Sequence, residues 1–473
     1  MKILNDEYTL DIEALVEKDQ IENIRQLIID ADTPFSIGIS GRWGSGKTSI
    51  MKYLMASLGG EPIKHRLNFQ YKALEEKEEF ENIFKKFETT KRKRNTLSKK
   101  IHTIWFNPWE NEKHQEPMVG LLQAIRHHFS FVASSIQEGK KIANVTIKAG
   151  IDLLGDLIKL GSGAGSSVEK IGEKYEKDNF QYIDRNQKFK FIFEEAIEIL
   201  LQKGMETIEE DARVVIFIDD LDRCEDETIA RLLKEIKQYL TTKRCVFVFG
   251  YDRHHIEKSL SHVETKTAKE TRAYLEKLFQ ATFYIKEPSE DKLKTFIGEM
   301  IAEYNFVGTA NQEDFSEYLS GIIDPNPRRI KNYLTMLYFH IKSSTEFGSS
   351  TSIGFDDFKR LALVAYLKLF YESVYSVLEN KPELLKDLLA VFKNRKITDI
   401  TNQREYFFQL EMTSHLHDIN IDNYSKHLEA TKEYEEKFLN EVYQMQGKHK
   451  SFENYMKEFV DNFDESHDIK KYL

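Results

Sequence analysis

Gly41, Gly46, Lys47 and Thr48 stand in the spacing Gly-x-x-x-x-Gly-Lys-Thr within "SGRWGSGKTSI" (Ser40–Ile50). Glycines at these positions let a backbone wrap a polyphosphate, so that successive N–H groups point at its oxygens. A helix starting at the lysine presents its positive end to the same phosphates. Lys47 is placed to reach the β- and γ-phosphates and Thr48 to ligate Mg²⁺. The predicted cradle comprises Gly41, Trp43, Gly44, Ser45, Gly46, Lys47, Thr48 and Ser49. The chemistry it suits is the binding of a nucleoside triphosphate and, with a metal and a positioned water, its cleavage.

A second constellation is "VVIFIDDLDRC" (Val214–Cys224), an apolar run that ends in carboxylates. Asp219 is expected at the strand end, holding Mg²⁺ through water, and Asp220 is expected to polarise the attacking water. Asp219, Asp220 and Asp222 would repel one another without a cation, so a metal rationalises the cluster. A third strand end, "FVFGYDRHH", brings Tyr251, Asp252 and Arg253 toward the edge where open α/β sheets bind ligands. Asp252 is a candidate sensor of the γ-phosphate or its water, and Arg253 a candidate to act in cis or on a neighbouring subunit. In "DPNPRRIKNYL", Arg328 and Arg329 fall in the first turn of a capped helix, where the macrodipole disfavours cations. That placement predicts an anionic partner, such as a nucleotide reached from a helical lid. The aromatic stretch "IWFNPWENEKHQEP" (Ile104–Pro117) reads as packing at the exit of a strand.

These groups need a rigid edge to hold them. Apolar runs at Phe35–Ser40, His102–Asn107, Val214–Asp219, Cys245–Tyr251 and Ala281–Lys286 have the length and branched or aromatic content of buried strands. Between them lie helical patterns, clearest from Glu225 to Leu240, where Ile229, Leu232, Leu233, Ile236 and Leu240 share a face. Strands alternating with helices predict right-handed crossovers and a parallel sheet covered on both faces. After Lys286 only helices are expected, one of them opening at Asn326 as N-cap with Pro327 at the first helical position. The predicted organisation is a nucleotide-binding core over 1–288 with helical insertions at about 61–100 and 131–202. A helical lid over 289–345 and a C-terminal helical domain over 346–473 follow. The fold class is α/β: a P-loop NTPase with a mostly parallel five-stranded sheet.

Composition narrows the function classes. The chain has 473 residues, 41% hydrophobic and 31% charged, which suits a multidomain soluble protein. Its net charge of −10 gives no general attraction to nucleic acid. The 2 cysteines exclude a disulfide framework, and the 14 histidines show no metal-ligand spacing. An acidic, polar start lacks a signal-peptide core, and no window offers the ~18 apolar residues of a membrane span. A cytoplasmic location is therefore expected.

Taken in order, "GRWGSGKTS", "WFNPWE", "IFIDDLDRC", "VFGYDR", "YLEKLFQ" and "NPRRIKNYL" resemble the KAP P-loop NTPases, in the STAND-like branch of the additional-strand ATPases. The resemblance spans about Asp19 to His340. It implies ATP and Mg²⁺ as ligands, hydrolysis, a helical lid and nucleotide-driven assembly or rearrangement. Many members carry transmembrane helices between the two nucleotide motifs. Here the segment Phe131–Gln202 is polar, with Lys148, Asp152, Asp156 and Lys159 inside its most apolar stretch, which matches the soluble bacterial type. Relatives of that type resemble ATPase components of phage-exclusion and antiphage defence systems.

The function expected is an ATPase switch or assembly engine acting on protein partners and by self-association, since no second catalytic constellation is present. Two alternatives stay open. One is a nucleic-acid-stimulated ATPase that uses the basic segment Lys91–Lys100. The other is a scaffold that binds ATP with little turnover.

Overall fold

The computed structural model describes residues 16–60, 78–86, 101–111, 210–264, 267–304, 312–344, 353–380, 450–464 and 467–473, with scattered single positions between them. The basic segment Lys91–Lys100 and most of the expected helical insertions at about 61–100 and 131–202 lie outside the described residues. The chain divides into two compact units, Tyr8–Lys286, and Glu287–Leu473 together with Met1–Glu7.

The first unit is built on five parallel strands: β1 (Phe35–Ser40), β2 (Ile101–Phe106), β3 (Arg213–Ile218), β4 (Cys245–Tyr251) and β5 (Ala281–Tyr284). Their order across the sheet is β2-β3-β4-β1-β5. Strand β4 thus separates the glycine-rich-loop strand β1 from the aspartate strand β3, the additional-strand arrangement. Successive side chains leave opposite faces, so each strand supplies two apolar layers. Ile37, Ile39, Val215, Phe217, Val246 and Val248 pack with α1 (Lys18–Asp30) and α2 (Lys47–Ser57). Val214, Ile216, Ile218, Phe247 and Phe249 pack instead with α3 (Asp226–Tyr239), α4 (Arg253–Glu264) and α5 (Ala268–Leu278).

Strand positions expected from the sequence hold to within a residue or two at the ends. β2 and β3 each begin one position earlier than expected, and Asp219 lies just past β3. Its N–H still donates to Phe106 O at 3.1 Å, so it remains anchored to the sheet edge. β5 stops at Tyr284 rather than continuing to Lys286.

The second unit is helical: α6 (Glu290–Tyr304), α7 (Gln312–Ile322), α8 (Pro327–Ser343), α9 (Phe355–Phe370), α10 (Glu372–Asn380) and α11 (Lys450–Asn462). The Asn326 side chain caps α8 by accepting from Arg328 N at 3.1 Å and Arg329 N at 3.3 Å. Helices expected as a lid share one core with those expected as a separate C-terminal domain: Ile330 and Leu334 of α8 with Leu361 and Val364 of α9 and Tyr455 and Phe459 of α11. The Tyr333 hydroxyl donates to Ala362 O at 2.7 Å and the Tyr455 hydroxyl to Leu363 O at 3.0 Å, satisfying the polar tips of buried rings. No helix among the described residues is long and apolar enough to cross a membrane.

Candidate functional site

The site is assembled at the carboxyl end of the sheet, from the turns that leave β1, β3 and β4. After β1 the chain makes the loop Gly41–Gly46, with Ser45 N donating to Arg42 O at 3.0 Å. Gly44 and Gly46 have φ of 81° and 92°, a region that L side chains rarely adopt. A Cβ on Gly46 would meet nothing within 4 Å, so its surroundings are open space. Helix α2 begins directly after Gly46 with no side chain capping its first turn. A helix start of this kind presents backbone N–H groups and the positive dipole end to an anion.

Lys47 is buried, and its ammonium is fully engaged. It donates to Gly41 O at 3.1 Å and to Arg42 O at 3.3 Å. It also pairs with Asp222 Oδ2 at 3.3 Å.

Asp219 is 1% exposed, and neither of its carboxylate oxygens makes a hydrogen bond of normal geometry. Burial, followed by the neighbouring Asp220 carboxylate, pushes its pKa up to about 6, while Thr48, the Asp220 backbone and Lys47 offset part of that rise. A buried carboxylate so weakly partnered is costly. A hard cation beside the Thr48 hydroxyl is the partner that this donor set fits. Asp220 takes up a left-handed backbone conformation (φ 58°), which aspartate tolerates better than most residues. Its Oδ1 meets Arg223 Nε at 2.9 Å. Burial raises its pKa, with Arg223 opposing and Asp222 adding to the rise; the Trp109 side chain also hydrogen-bonds to it.

Asp252 closes the third side. Its Oδ1 accepts from His254 N at 2.9 Å and His255 N at 3.4 Å, capping α4. Its Oδ2 accepts from Trp43 N at 3.2 Å, which ties the glycine-rich loop to the end of β4. The residue expected as a phosphate sensor thus shapes the loop in this structure. The Arg253 guanidinium is held by Glu257 at 2.8 Å and by the Tyr284 hydroxyl at 3.0 Å.

The KAP family P-loop domain matches residues 17–344. The chain belongs to that family. It is a KAP-family P-loop NTPase. Among solved structures it is similar to the Aeropyrum pernix ORC2 protein in ADPNP and ADP complexes. That likeness covers 79% of this chain and 74% of the other, at 12% identity and a TM-score of 0.34. A search of the curated proteins returned no match.

The structure brings together Gly41, Trp43, Gly44, Ser45, Gly46, Lys47, Thr48, Ser49, Asp219, Asp220 and Asp252 in one unit of this KAP-family chain. Arg328 and Arg329 belong to the other unit. The anionic partner expected for them exists locally for Arg329, whose guanidinium pairs with Asp324 at 2.9 Å and stacks over Phe370 at 4.7 Å. Sequence reasoning missed three contributors. Asp222 carries the contact to Lys47, whereas its sequence context marks it only as one of three mutually repelling carboxylates. Trp109 sits beside Asp220, with Arg223 over its ring at 5.5 Å. Trp105, by contrast, packs as expected, against Phe217 and beneath the Lys52 ammonium at 3.6 Å. Gly250 is the third: a Cβ there would lie 2.5 Å from Asp219 Oδ1. A glycine inside an otherwise bulky strand was the available signal, since it often marks a close approach.

Proposed function

We propose that this chain binds ATP with Mg²⁺, hydrolyses it, and uses the cycle as a switch read by a partner protein or a second copy of itself. The observation that supports it best is the buried Asp219 carboxylate beside Thr48, at the open start of α2, with no hydrogen bond of normal geometry to either oxygen. In this reading the α2 N–H groups and Lys47 receive the phosphates, and Thr48 and Asp219 hold Mg²⁺. The metal supplies charge neutralisation across the transferred phosphoryl group. Asp220 orients the attacking water and accepts its proton, and Arg223 fixes the Asp220 carboxylate for that task. Trp43, whose side chain is 61% exposed, is part of the cradle in the same reading. A sensor role for Asp252, or for Arg328 or Arg329, belongs to the same proposal. Arg329 would first have to leave Asp324.

Phosphate release by wild type, Lys47→Ala and Asp220→Asn tests the reading. Wild type should turn over with Mg²⁺. Lys47→Ala should lose nucleotide binding, and Asp220→Asn should keep binding but lose roughly 10²–10⁴-fold in rate. Mg²⁺-dependent binding with no Lys47-dependent release would leave a scaffold. Solution mass with ADP and with a slow ATP analogue tests self-association, and identical masses remove it.

A further inference from the structure

An ammonium has three donors and no acceptor. Lys47 finds three acceptors: two carbonyls of its own loop, Gly41 O and Arg42 O, and one carboxylate, Asp222 Oδ2 at 3.3 Å. The lysine and aspartate side chains are 7% and 5% exposed, so this is a buried ion pair screened from water. The second Asp222 oxygen, Oδ1, is buried with no hydrogen-bond partner. A carboxylate bound through one oxygen, with the other idle, is held in place chiefly by the lysine. A phosphate arriving at α2 needs the same ammonium.

We propose that Asp222 is a built-in stand-in for a phosphate oxygen: it occupies Lys47 in the nucleotide-free state and must be displaced for the polyphosphate to bind. This rests on the nucleotide reading above and adds a regulatory residue to that site. The two loop carbonyls are uncharged and lie within the cradle itself, so the charged competitor for phosphate is Asp222. Once phosphates arrive, its carboxylate faces like charge and loses its counterion, and both effects push it away. Asp222 lies in the short 3₁₀ turn Leu221–Arg223, between Asp220 and α3. Moving that turn must disturb the next residue, Arg223, which holds Asp220 at 2.9 Å and lies over the partly exposed Trp109 ring. The displacement therefore gives nucleotide binding a route to the protein surface through covalently adjacent residues.

The test is Asp222→Asn, which keeps the side-chain shape and removes the charge. Asp222→Ser serves as a second variant if the first melts early, and Asp222→Glu restores the charge. Nucleotide affinity is measured with fluorescent ADP and ATP analogues in EDTA, so that the Asp219 metal site does not contribute. Lys47 accessibility is read separately, by the rate of acylation with an amine reagent in nucleotide-free protein, followed by mass spectrometry. The expected result is a dissociation constant at least about tenfold lower for Asp222→Asn, with Asp222→Glu near wild type and Lys47 acylated several-fold faster in the Asn variant. Equal or weaker binding by Asp222→Asn and Asp222→Ser, in a wild type that binds nucleotide, overturns the proposal. If wild type binds no nucleotide, the nucleotide reading fails instead. The acylation rates then decide the latch: faster in Asp222→Asn upholds it, and equal rates overturn it.

Discussion

Gly250→Ala is a small substitution whose sign depends on one contact. The Gly250 backbone lies outside the positive-φ region, so alanine is conformationally acceptable there. In isolation the change would stabilise the protein by about 0.4–1 kcal/mol, by restricting the unfolded chain. In the structure the added Cβ would sit 2.5 Å from Asp219 Oδ1 and 2.6 Å from Met51 Sδ. An ordinary carbon–oxygen contact is about 3.3 Å, so roughly 0.8 Å must be opened. Met51 can yield by rotating its thioether. Asp219 has little room, because it is buried on a short side chain and its backbone is bonded to Phe106 O at 3.1 Å. Overpacking of this kind costs about 1–3 kcal/mol, which outweighs the entropic gain. For a unit of this size the melting temperature should fall by roughly 2–8 °C. The functional effect should be selective. Mg²⁺ demands a near-ideal octahedral shell, waters included, so moving Asp219, which would hold the ion through water, should damage the metal's contribution more than the phosphate cradle. Thermal melts of wild type and variant, without ligand, with ATP in EDTA, and with ATP and Mg²⁺, separate the two. The expected pattern is a lower baseline, a retained shift with ATP alone, and loss of the extra Mg²⁺ increment. A variant that melts at or above wild type and keeps the full Mg²⁺ increment would refute the reasoning, since Asp219 would then have room to move without consequence.

Asp252 can be dissected by two substitutions. Asp252→Asn keeps an oxygen to cap α4 but places an amide opposite Trp43 N–H, so stability should hold within about 0.5 kcal/mol while nucleotide affinity falls. Asp252→Ala should lose both, with about 1 kcal/mol from the missing cap. Unchanged affinity with lost turnover in Asp252→Asn would favour a sensor over a loop anchor. In the helical unit, burial lowers the pKa of His340; its Nε2–H donates to Tyr472 O at 2.8 Å, which opposes the lowering, and the nearby Lys368 adds to it. The unfolded chain takes up a proton near pH 6.5, whereas the folded chain does so only at lower pH. Stability should therefore decline as pH drops below about 6.5, by at most about 1.4 kcal/mol per pH unit from this group. Urea denaturation between pH 5.5 and 7.5 should show that decline in wild type and a flatter profile in His340→Gln. Identical slopes would remove His340 as the source.

Local features were legible because they are contiguous. The Gly41–Thr48 spacing defined a phosphate cradle wherever the rest of the chain lay, since loop and helix start are one stretch. The branched and aromatic runs marked all five strands, because strands of a doubly covered parallel sheet are apolar on both faces. Asn326 and Pro327 announced the start of α8 through cap chemistry that needs only neighbouring backbone. Strand ends were less sharp: the ladder bond from Asp219 N to Phe106 O, which depends on a neighbouring strand, sets where β3 stops.

Partnerships were not legible, because they depend on which strands become neighbours. The sequence by itself determined that this chain carries a P-loop, a carboxylate strand and an α/β core, since each follows from residue types at short spacing. Only the tertiary structure decided that β4 lies between β1 and β3, and this order places Gly250 against Asp219 and Asp252 against the Trp43 amide. It also assigned Asp222 rather than Asp219 as the direct ion-pair partner of Lys47. It gave Arg329 to Asp324 and brought Trp109 to Asp220. The lysine and its carboxylate are 175 positions apart, and no local pattern encodes a contact over that separation. Packing of the sheet edge, where burial makes each unpaired charge costly, selects which of the three aspartates meets the ammonium.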